Sequence, residues 1–420
     1  MDLIFAEATP RGRGGVSVVR LSGPGARLAA EVLAGPMPRA RHAYLRDLAF
    51  AGEQIDRALA MWFEAGRSFT GEEVAELHLH GAPVIVRRLA EILRRHGARM
   101  AEAGEFTRRA FANGRMDLAE IEGLGDLLAA ETEAQRKLAL RVAGGELGRI
   151  AATWRDLLIR AGALVEASVD FADEDVPEDV PAEVFDLLDR LRDELDRQID
   201  GYAAAEMVRT GFEVAVIGPP NVGKSSLINR IARRDVALVS EIAGTTRDVI
   251  ELRLDLKGLA VTLLDTAGLR DSSDRIETLG IDRARVRALE ADLRVHLSAD
   301  GRAEDGLWQE GDILLLNKAD LRDCAEGAVS GLTGDGVDRL LAEIASRLVD
   351  RVETAGLVSH QRQLSALLDA RSHIEALDDL PPELLAESIR ACAASLDRLL
   401  GRIGAEEYLD VIFASFCIGK

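Results

Sequence analysis

Residues 212–233 read FEVAVIGPPNVGKSSLINRIAR, and the fold of the middle of the chain turns on them. An apolar run of strand character, FEVAVI, leads straight into Gly218-Pro-Pro-Asn-Val-Gly223-Lys224-Ser225, which has the spacing G-x-x-x-x-G-K-S. The following SSLINRIAR has the apolar spacing of a helix. A strand, a glycine turn and a helix start in that order let backbone amides close around a phosphate, helped by the unpaired N–H groups of the helix's first turn. Lys224 is then the point charge for the β- and γ-phosphates, and Ser225 the hydroxyl for Mg²⁺.

Outward from this loop, strand–turn–helix alternation runs from 212 to about 348, the pattern of a doubly wound α/β domain. Further motifs follow in chain order. Asp265-Thr266-Ala267-Gly268 comes after the apolar AVTLL and puts a carboxylate near Mg²⁺ and a glycine at the γ-phosphate. Asn317-Lys318-Ala319-Asp320 comes after DILLL, and the Asp320 carboxylate can accept hydrogen bonds from the N1–H and amino group of guanine, a pair adenine does not offer. Between the phosphate loop and Asp265, Gly244-Thr245-Thr246-Arg247-Asp248 is a candidate switch loop, with Thr246 completing the Mg²⁺ shell. Motifs of these types in this order read as a GTPase. The residue after DTAG is Leu269, which cannot orient water as the glutamine of a Ras-type protein does. Asn221 with the Gly-Thr-Thr stretch points instead to a bound monovalent cation, and Glu277 is a candidate for holding the water. On residue chemistry alone, a glutamate in LRDSSDRIETLG is more often a solvated helix charge.

The flanks read differently. Residues 1–118 are mixed α+β: GGVSVVRLSG and ALAMWFEA look like strands, and VAELHLHGAPVIVRRLAEILRRHG like a strand, a turn at Gly81 and Pro83, and a helix. Residues 119–208 are helical, interrupted by the acidic VDFADEDVPEDVPAE, which reads as a loop, and 351–420 are helical again. The expected architecture is multidomain: an α+β N-terminal domain (1–118), an all-α helical domain in two chain segments (119–208 and 351–420), and an inserted α/β P-loop GTPase domain (209–350). His78 and His80 alternate along a strand without a third ligand and read as ordinary strand residues.

Composition fits soluble globular protein, with 47% hydrophobic and 30% charged residues. No window approaches a membrane span, the start lacks a signal-peptide pattern, and the three cysteines, Cys324, Cys392 and Cys417, have no paired spacing, so a cytoplasmic protein is expected. The formal net charge is −20, with the acidic excess beyond residue 120, which disfavours broad binding to a phosphate backbone. In a sequence that otherwise writes arginine, Lys224, Lys318 and Lys420 stand where the two cations are not interchangeable.

The stretches ATPRGRGGVSVVRLSG, SFTGEEVAELHLHG and AGEFTRRAFANGRMDLAE, the GPPNVGKSSLIN…GTTRD…DTAGLR…NKAD series and the closing FCIGK together resemble the tRNA-modification GTPase family MnmE (TrmE) over nearly the whole chain. The resemblance implies a tetrahydrofolate-binding, dimerising N-terminal domain and a helical domain carrying an inserted G domain. It implies a homodimer that works with an FAD-dependent partner, MnmG/GidA, to add a (carboxymethyl)aminomethyl group to C5 of the wobble uridine of certain tRNAs. A 5-formyl- or 5,10-methylene-tetrahydrofolate would supply the carbon, and the tRNA would be held mainly through the partner. The folate positions map to Arg20, Glu76, Arg115 and Lys420, with Arg115 standing where bacterial relatives usually carry lysine. Potassium maps to Asn221, Ser240, Ile242 and Thr245, Mg²⁺ to Ser225 and Thr246, and the catalytic glutamate to Glu277. The nucleotide positions are Asn221, Val222, Gly223, Lys224, Ser225 and Ser226; Ser240, Glu241, Ile242, Ala243, Gly244, Thr245 and Thr246; Asp265, Thr266, Ala267 and Gly268; Asn317, Lys318, Ala319 and Asp320; and Ser330, Gly331 and Leu332, where relatives read Ser-Ala.

The same resemblance gives the tail a role: Cys417 beside Lys420 delivers a thiol to the modification site, as nucleophile or as positioning group. The rival reading is a GTPase assembly factor whose hydrolysis only times binding. It requires a basic RNA-binding appendage, which the acidic helical surround does not supply, and it leaves the Cys-Lys tail unexplained.

Overall fold

The computed structural model describes residues 2–170, 180–238, 251–265, 285–304, 306–321, 327–375, 377, 380–403, 412–413, 416 and 419. The chain divides into two compact units, one of Met1–Gly125, Gly148–Ala152 and Ala393–Lys420, the other of Asp126–Leu147 and Thr153–Cys392.

The first unit is built on a six-stranded sheet in the order β3-β4-β5-β2-β1-β6. Its strands are β1 (Ile4–Glu7), β2 (Gly14–Ser22), β3 (Tyr44–Phe50), β4 (Glu53–Phe63), β5 (Val74–Gly81) and β6 (Arg99–Met100). All neighbours are antiparallel except β1 and β6. Period-two alternation divides β2 and β5: Val19, Leu21, Leu77 and Leu79 are buried in one core with Leu33 of α1 (Ala26–Ala34) and Leu89 and Ile92 of α2 (Pro83–Arg95). Arg20 and Glu76, directly opposite one another in register, alternate with those core residues and take the other face. Helix α2 starts on Pro83, which has no N–H to leave unpaired, and ends on Arg94 and Arg95, whose charges suit a helix C-terminus.

Two helices follow, α3 (Glu105–Ala112) and α4 (Leu118–Ala129). Arg109 of α3 is buried, and it is tolerated there because Glu72, Asp2 and Glu105 meet it at 2.9, 2.8 and 3.0 Å. The described residues of the tail belong to this unit. Phe413 and Phe416 pack with Ile121 of α4, and a Cβ on Gly419 would come 2.6 Å from the carbonyl oxygen of Glu7.

In the second unit, helices α5 (Glu133–Ala143), α6 (Glu146–Asp170), α7 (Ala182–Asp200) and α8 (Tyr202–Thr210) lead to a second six-stranded sheet. The acidic run is partly helical, since α6 extends to Asp170, and the part from 171 to 179 lies outside the described residues. The sheet comprises β7 (Phe212–Ile217), β8 (Glu251–Leu256), β9 (Leu259–Asp265), β10 (Leu293–Ser298), β11 (Ile313–Asn317) and β12 (Ala328–Val329), in the order β12-β11-β10-β7-β9-β8. Helices α9 (Lys224–Ile231) and α10 (Val337–Val349) bury Leu227, Ile228, Leu340 and Ile344 in its core. The sheet is parallel except at β8, which pairs antiparallel with β9 across Lys257 and Gly258. Both turn residues have positive φ, 54° and 88°, the twist a two-residue hairpin needs.

The chain leaves and re-enters the helical part around this sheet. Arg209 Nε at the end of α8 donates to the carbonyl of Ser359 at 2.8 Å, just before α11 (Gln361–His373). Arg371 of α11 meets Asp196 of α7 at 2.9 Å. The last helix is α12 (Pro382–Leu399). The α/β body is therefore an insertion between two helical segments, as expected from the sequence.

Candidate functional site

Strand β7 has β9 and β10 as its two neighbours, so the order of connection reverses at its C-terminal end, where an open α/β sheet binds ligands. The glycine loop sits at this end. Gly218 has φ 152°, and a Cβ there would stand 2.3 Å from the Leu297 carbonyl oxygen. Gly223 has φ 110°, with the Asn317 amide nitrogen 2.3 Å from where its Cβ would be. Only glycine meets both conditions. Asn221 lies at φ 60°, a conformation asparagine tolerates better than most residues.

Lys224 is buried at the start of α9, and its Nζ donates to the carbonyls of Gly218 at 2.6 Å and Pro219 at 3.2 Å. Burial pushes its pKa down, opposed by the charges of Asp265 and Glu304. Ser225 Oγ donates to Asp265 Oδ2 at 2.8 Å, bringing together the hydroxyl and carboxylate expected near Mg²⁺ from two separate motifs. Hard oxygen donors of this type fit that ion. Asn317 donates from Nδ2 to the Val222 carbonyl, tying the guanine-side motif to the phosphate loop.

At the base end, Ser330 Oγ donates to Asp320 Oδ1 at 2.5 Å and accepts from the N–H groups of Leu332 and Thr333, both at 3.2 Å. The glycine at 331 has a steric reason. A Cβ there would approach Leu227 N of α9 to 2.7 Å, so the loop can run this close to the helix only without one.

A cavity of about 1310 Å³ opens beside the loop, lined by Gly218–Asn221 and Gly223–Ser226 on one side. On the other stand His296, Leu297 and Ser298 of β10, residues 299, 300 and 302–304, Leu307 and Arg285. The motif reading missed this second wall. Its residues match no local spacing and come together only because β10 neighbours β7 in the sheet. Ser240, Glu241, Ile242, Ala243, Gly244, Thr245, Thr246, Thr266, Ala267, Gly268, Glu277, Cys417 and Lys420 lie outside the described residues.

A second group forms in the first unit. Arg20 Nε donates to Glu76 Oε1 at 2.9 Å, and its Nη1 to the Gly419 carbonyl at 3.5 Å. The guanidinium stands 5.7 Å from the Phe69 ring centroid and 5.9 Å from that of Phe106. Glu76 Oε2 is 3.2 Å from His78 Nε2, while His80 Nδ1 lies 2.7 Å from Asp56, so each histidine has a carboxylate of its own. The Arg115 side chain passes close to Gly71, where an added Cβ would be 3.1 Å from Arg115 Cγ. Thus Arg20, Glu76 and a tail residue, far apart in sequence, meet on the sheet face opposite α1 and α2.

Residues 3–115 match the family model for the GTP-binding protein TrmE N-terminus, and residues 118–417 that for the MnmE helical domain. A tRNA modification GTPase MnmE of Paracoccus denitrificans is 60% identical over 420 residues, covering all of both chains. Those of Cereibacter sphaeroides and Roseobacter denitrificans are 52% and 50% identical over 428 and 430 residues, again at full coverage of both chains. With the phosphate loop, the Ser225–Asp265 pair and relatives matched end to end, the chain belongs to the MnmE (TrmE) family and is a GTP hydrolase of tRNA modification.

Proposed function

We propose that this GTPase, paired with the FAD-dependent MnmG/GidA protein, installs a (carboxymethyl)aminomethyl group at C5 of the wobble uridine of certain tRNAs. In this reading the domains are 1–118 for folate and dimerisation, 119–208 and 351–420 for the helical part, and 209–350 for GTP. The observation that carries it is the Arg20–Glu76 pair with the tail's Gly419 carbonyl within 3.5 Å of Arg20. Glu76 is an acceptor suited to the amino and ring N–H groups of a pterin, and Arg20 a fixed fork of donors for its oxygens or a carboxylate. A 5-formyl- or 5,10-methylene-tetrahydrofolate bound there supplies the one-carbon unit. Arg115 and Lys420 complete the set of folate contacts, and Cys417, two positions before Gly419, acts as the nucleophile.

GTP hydrolysis drives the cycle. Lys224 turns from its loop carbonyls to the phosphates, Ser225 and Thr246 would hold Mg²⁺ with the Asp265 carboxylate near it, and Asp320 selects guanine. Glu277 orients the attacking water, in place of the glutamine that Leu269 cannot mimic. Asn221, Ser240, Ile242 and Thr245 hold K⁺, whose positive charge favours the transition state.

The active form is a homodimer. Leu45 and Leu59, cross-strand partners on β3 and β4, are 55% and 41% exposed, an apolar pair that a second copy would cover. The reaction is placed in the cytoplasm, with tRNA held mainly by the partner protein. Among the described residues no helix is long and apolar enough to cross a membrane.

Equilibrium binding of 5-formyltetrahydrofolate to the full-length protein tests the folate assignment. Arg20→Ala and Glu76→Gln should each weaken binding roughly tenfold or more, the worth of a charge-assisted hydrogen bond. GTP turnover should be unchanged in both. Wild-type folate affinity in both variants would contradict the assignment.

A further inference from the structure

The second wall of the nucleotide cavity carries a charge that the GTPase motifs do not use. His296, on β10, is 1% exposed, and its Nε2 lies 3.3 Å from Asp312 Oδ2. Asp312 also accepts from Arg294 Nε at 2.9 Å and from the Gln309 N–H at 2.7 Å. An ionised carboxylate only accepts, so His296 gives Asp312 its N–H and turns the bare lone pair of Nδ1 the other way. Burial holds the imidazole neutral against the pull of Asp312. His296 Nδ1 has no hydrogen-bond partner.

Glu304 lines the same cavity, and its Oε2 is likewise buried with no hydrogen-bond partner. Two acceptors cannot satisfy each other, so His296 leaves the Glu304 carboxylate uncompensated. Arg285 and Arg302 share the cavity but are exposed, where water and salt weaken their charge. The buried cation of the cavity is Lys224.

We infer that Glu304 sets nucleotide affinity: its carboxylate, lining the same cavity as Lys224, balances that lysine in the nucleotide-free protein and repels the phosphates that replace it. Both effects act against binding, and the second grows with the number of phosphate charges. A carboxylate at this place therefore weakens nucleotide binding. The inference rests on Lys224 being the phosphate-holding residue.

The test is equilibrium binding of fluorescent GDP, and of a fluorescent non-hydrolysable GTP analogue, to full-length protein at fixed K⁺, with choline chloride raised from low to high concentration. Glu304→Gln keeps shape and acceptors but removes the charge. At low salt it should lower Kd roughly three- to tenfold, as expected for one partly screened charge, and by more for the triphosphate than for the diphosphate. The gain should shrink as salt rises, and Glu304→Asp, which keeps the charge, should bind like wild type. Lys224→Ala, measured beside them, should lose binding. An unchanged or higher Kd in Glu304→Gln, or a gain indifferent to salt, overturns the inference while leaving the site itself standing. Wild-type binding by Lys224→Ala overturns the site assignment and the inference with it.

Discussion

Asn221 occupies a backbone conformation that costs most side chains free energy, φ 60° inside the phosphate loop. Asparagine accepts that conformation and adds an amide oxygen able to meet a cation, so the residue answers to the loop's geometry and its chemistry together. GTP turnover by the wild-type protein should be roughly tenfold or more faster in K⁺ than in Na⁺, the scale of one lost electrostatic stabiliser. Asn221→Ala should abolish the difference, and equal wild-type rates in the two salts would remove the cation from the mechanism. Residues of this kind were legible in the sequence because their chemistry is set within a few positions of chain: Gly218, Lys224, Ser225, Asp265 and Asp320 each sit in a local spacing with one physical use. Gly331 was named only through family resemblance, and His296 and Glu304 were not found at all. The reason for glycine at 331 is the backbone of α9, and the reason Glu304 matters is Lys224, eighty positions earlier and on another element.

Among the elements, α4 shows how a start signal also stores a pH dependence. Asp117 Oδ1 accepts the N–H of Glu120 at 2.8 Å, and Glu120 Oε2 accepts that of Asp117 at 2.8 Å, a reciprocal cap. Burial, outweighing the hydrogen bond from Glu120 and joined by that residue's charge, pushes Asp117 from 3.8 up to about 6. The folded protein then binds this proton more tightly than the unfolded chain. The contribution of Asp117 to stability is therefore fully present below about pH 4 and falls away as pH rises to about 6. Asp117→Asn keeps a capping oxygen and removes the titration. Its thermal midpoint should exceed that of wild type at neutral pH, and the gap should close towards pH 4. A constant gap across that range would show that the carboxylate does not titrate as described. Elements with strong periodicity, such as FEVAVI, DILLL and the basic helix α2, were visible in the sequence. Strand β3 was not, since the residue types in YLRDLAF do not alternate apolar with polar and Leu48 alone among them is fully buried. The antiparallel pairing of β8 was hidden for another reason: a two-residue turn at Lys257 and Gly258 decides it, not the strand's own composition.

Across the whole molecule, the α/β body inserted between helical segments was legible from the abrupt change of period at Phe212 and its return after Val349. That Arg20 and Glu76 belong together with the tail was legible only through family resemblance, because nothing in the spacing of β2, β5 and the tail brings them together; the contact of Arg20 with the Gly419 carbonyl was not foreseen. In the proposed function a nucleotide site and a tail-bearing folate site share one chain, and the tail takes part in the chemistry of tRNA. The most direct test is nucleoside mass spectrometry of tRNA from a strain lacking this protein, complemented with the intact chain or with Cys417→Ser. The account predicts that the wobble modification returns with the intact chain and not with Cys417→Ser, whose GTP turnover stays at the wild-type rate. Full restoration by Cys417→Ser, or a modification that persists when the protein is absent, would contradict it.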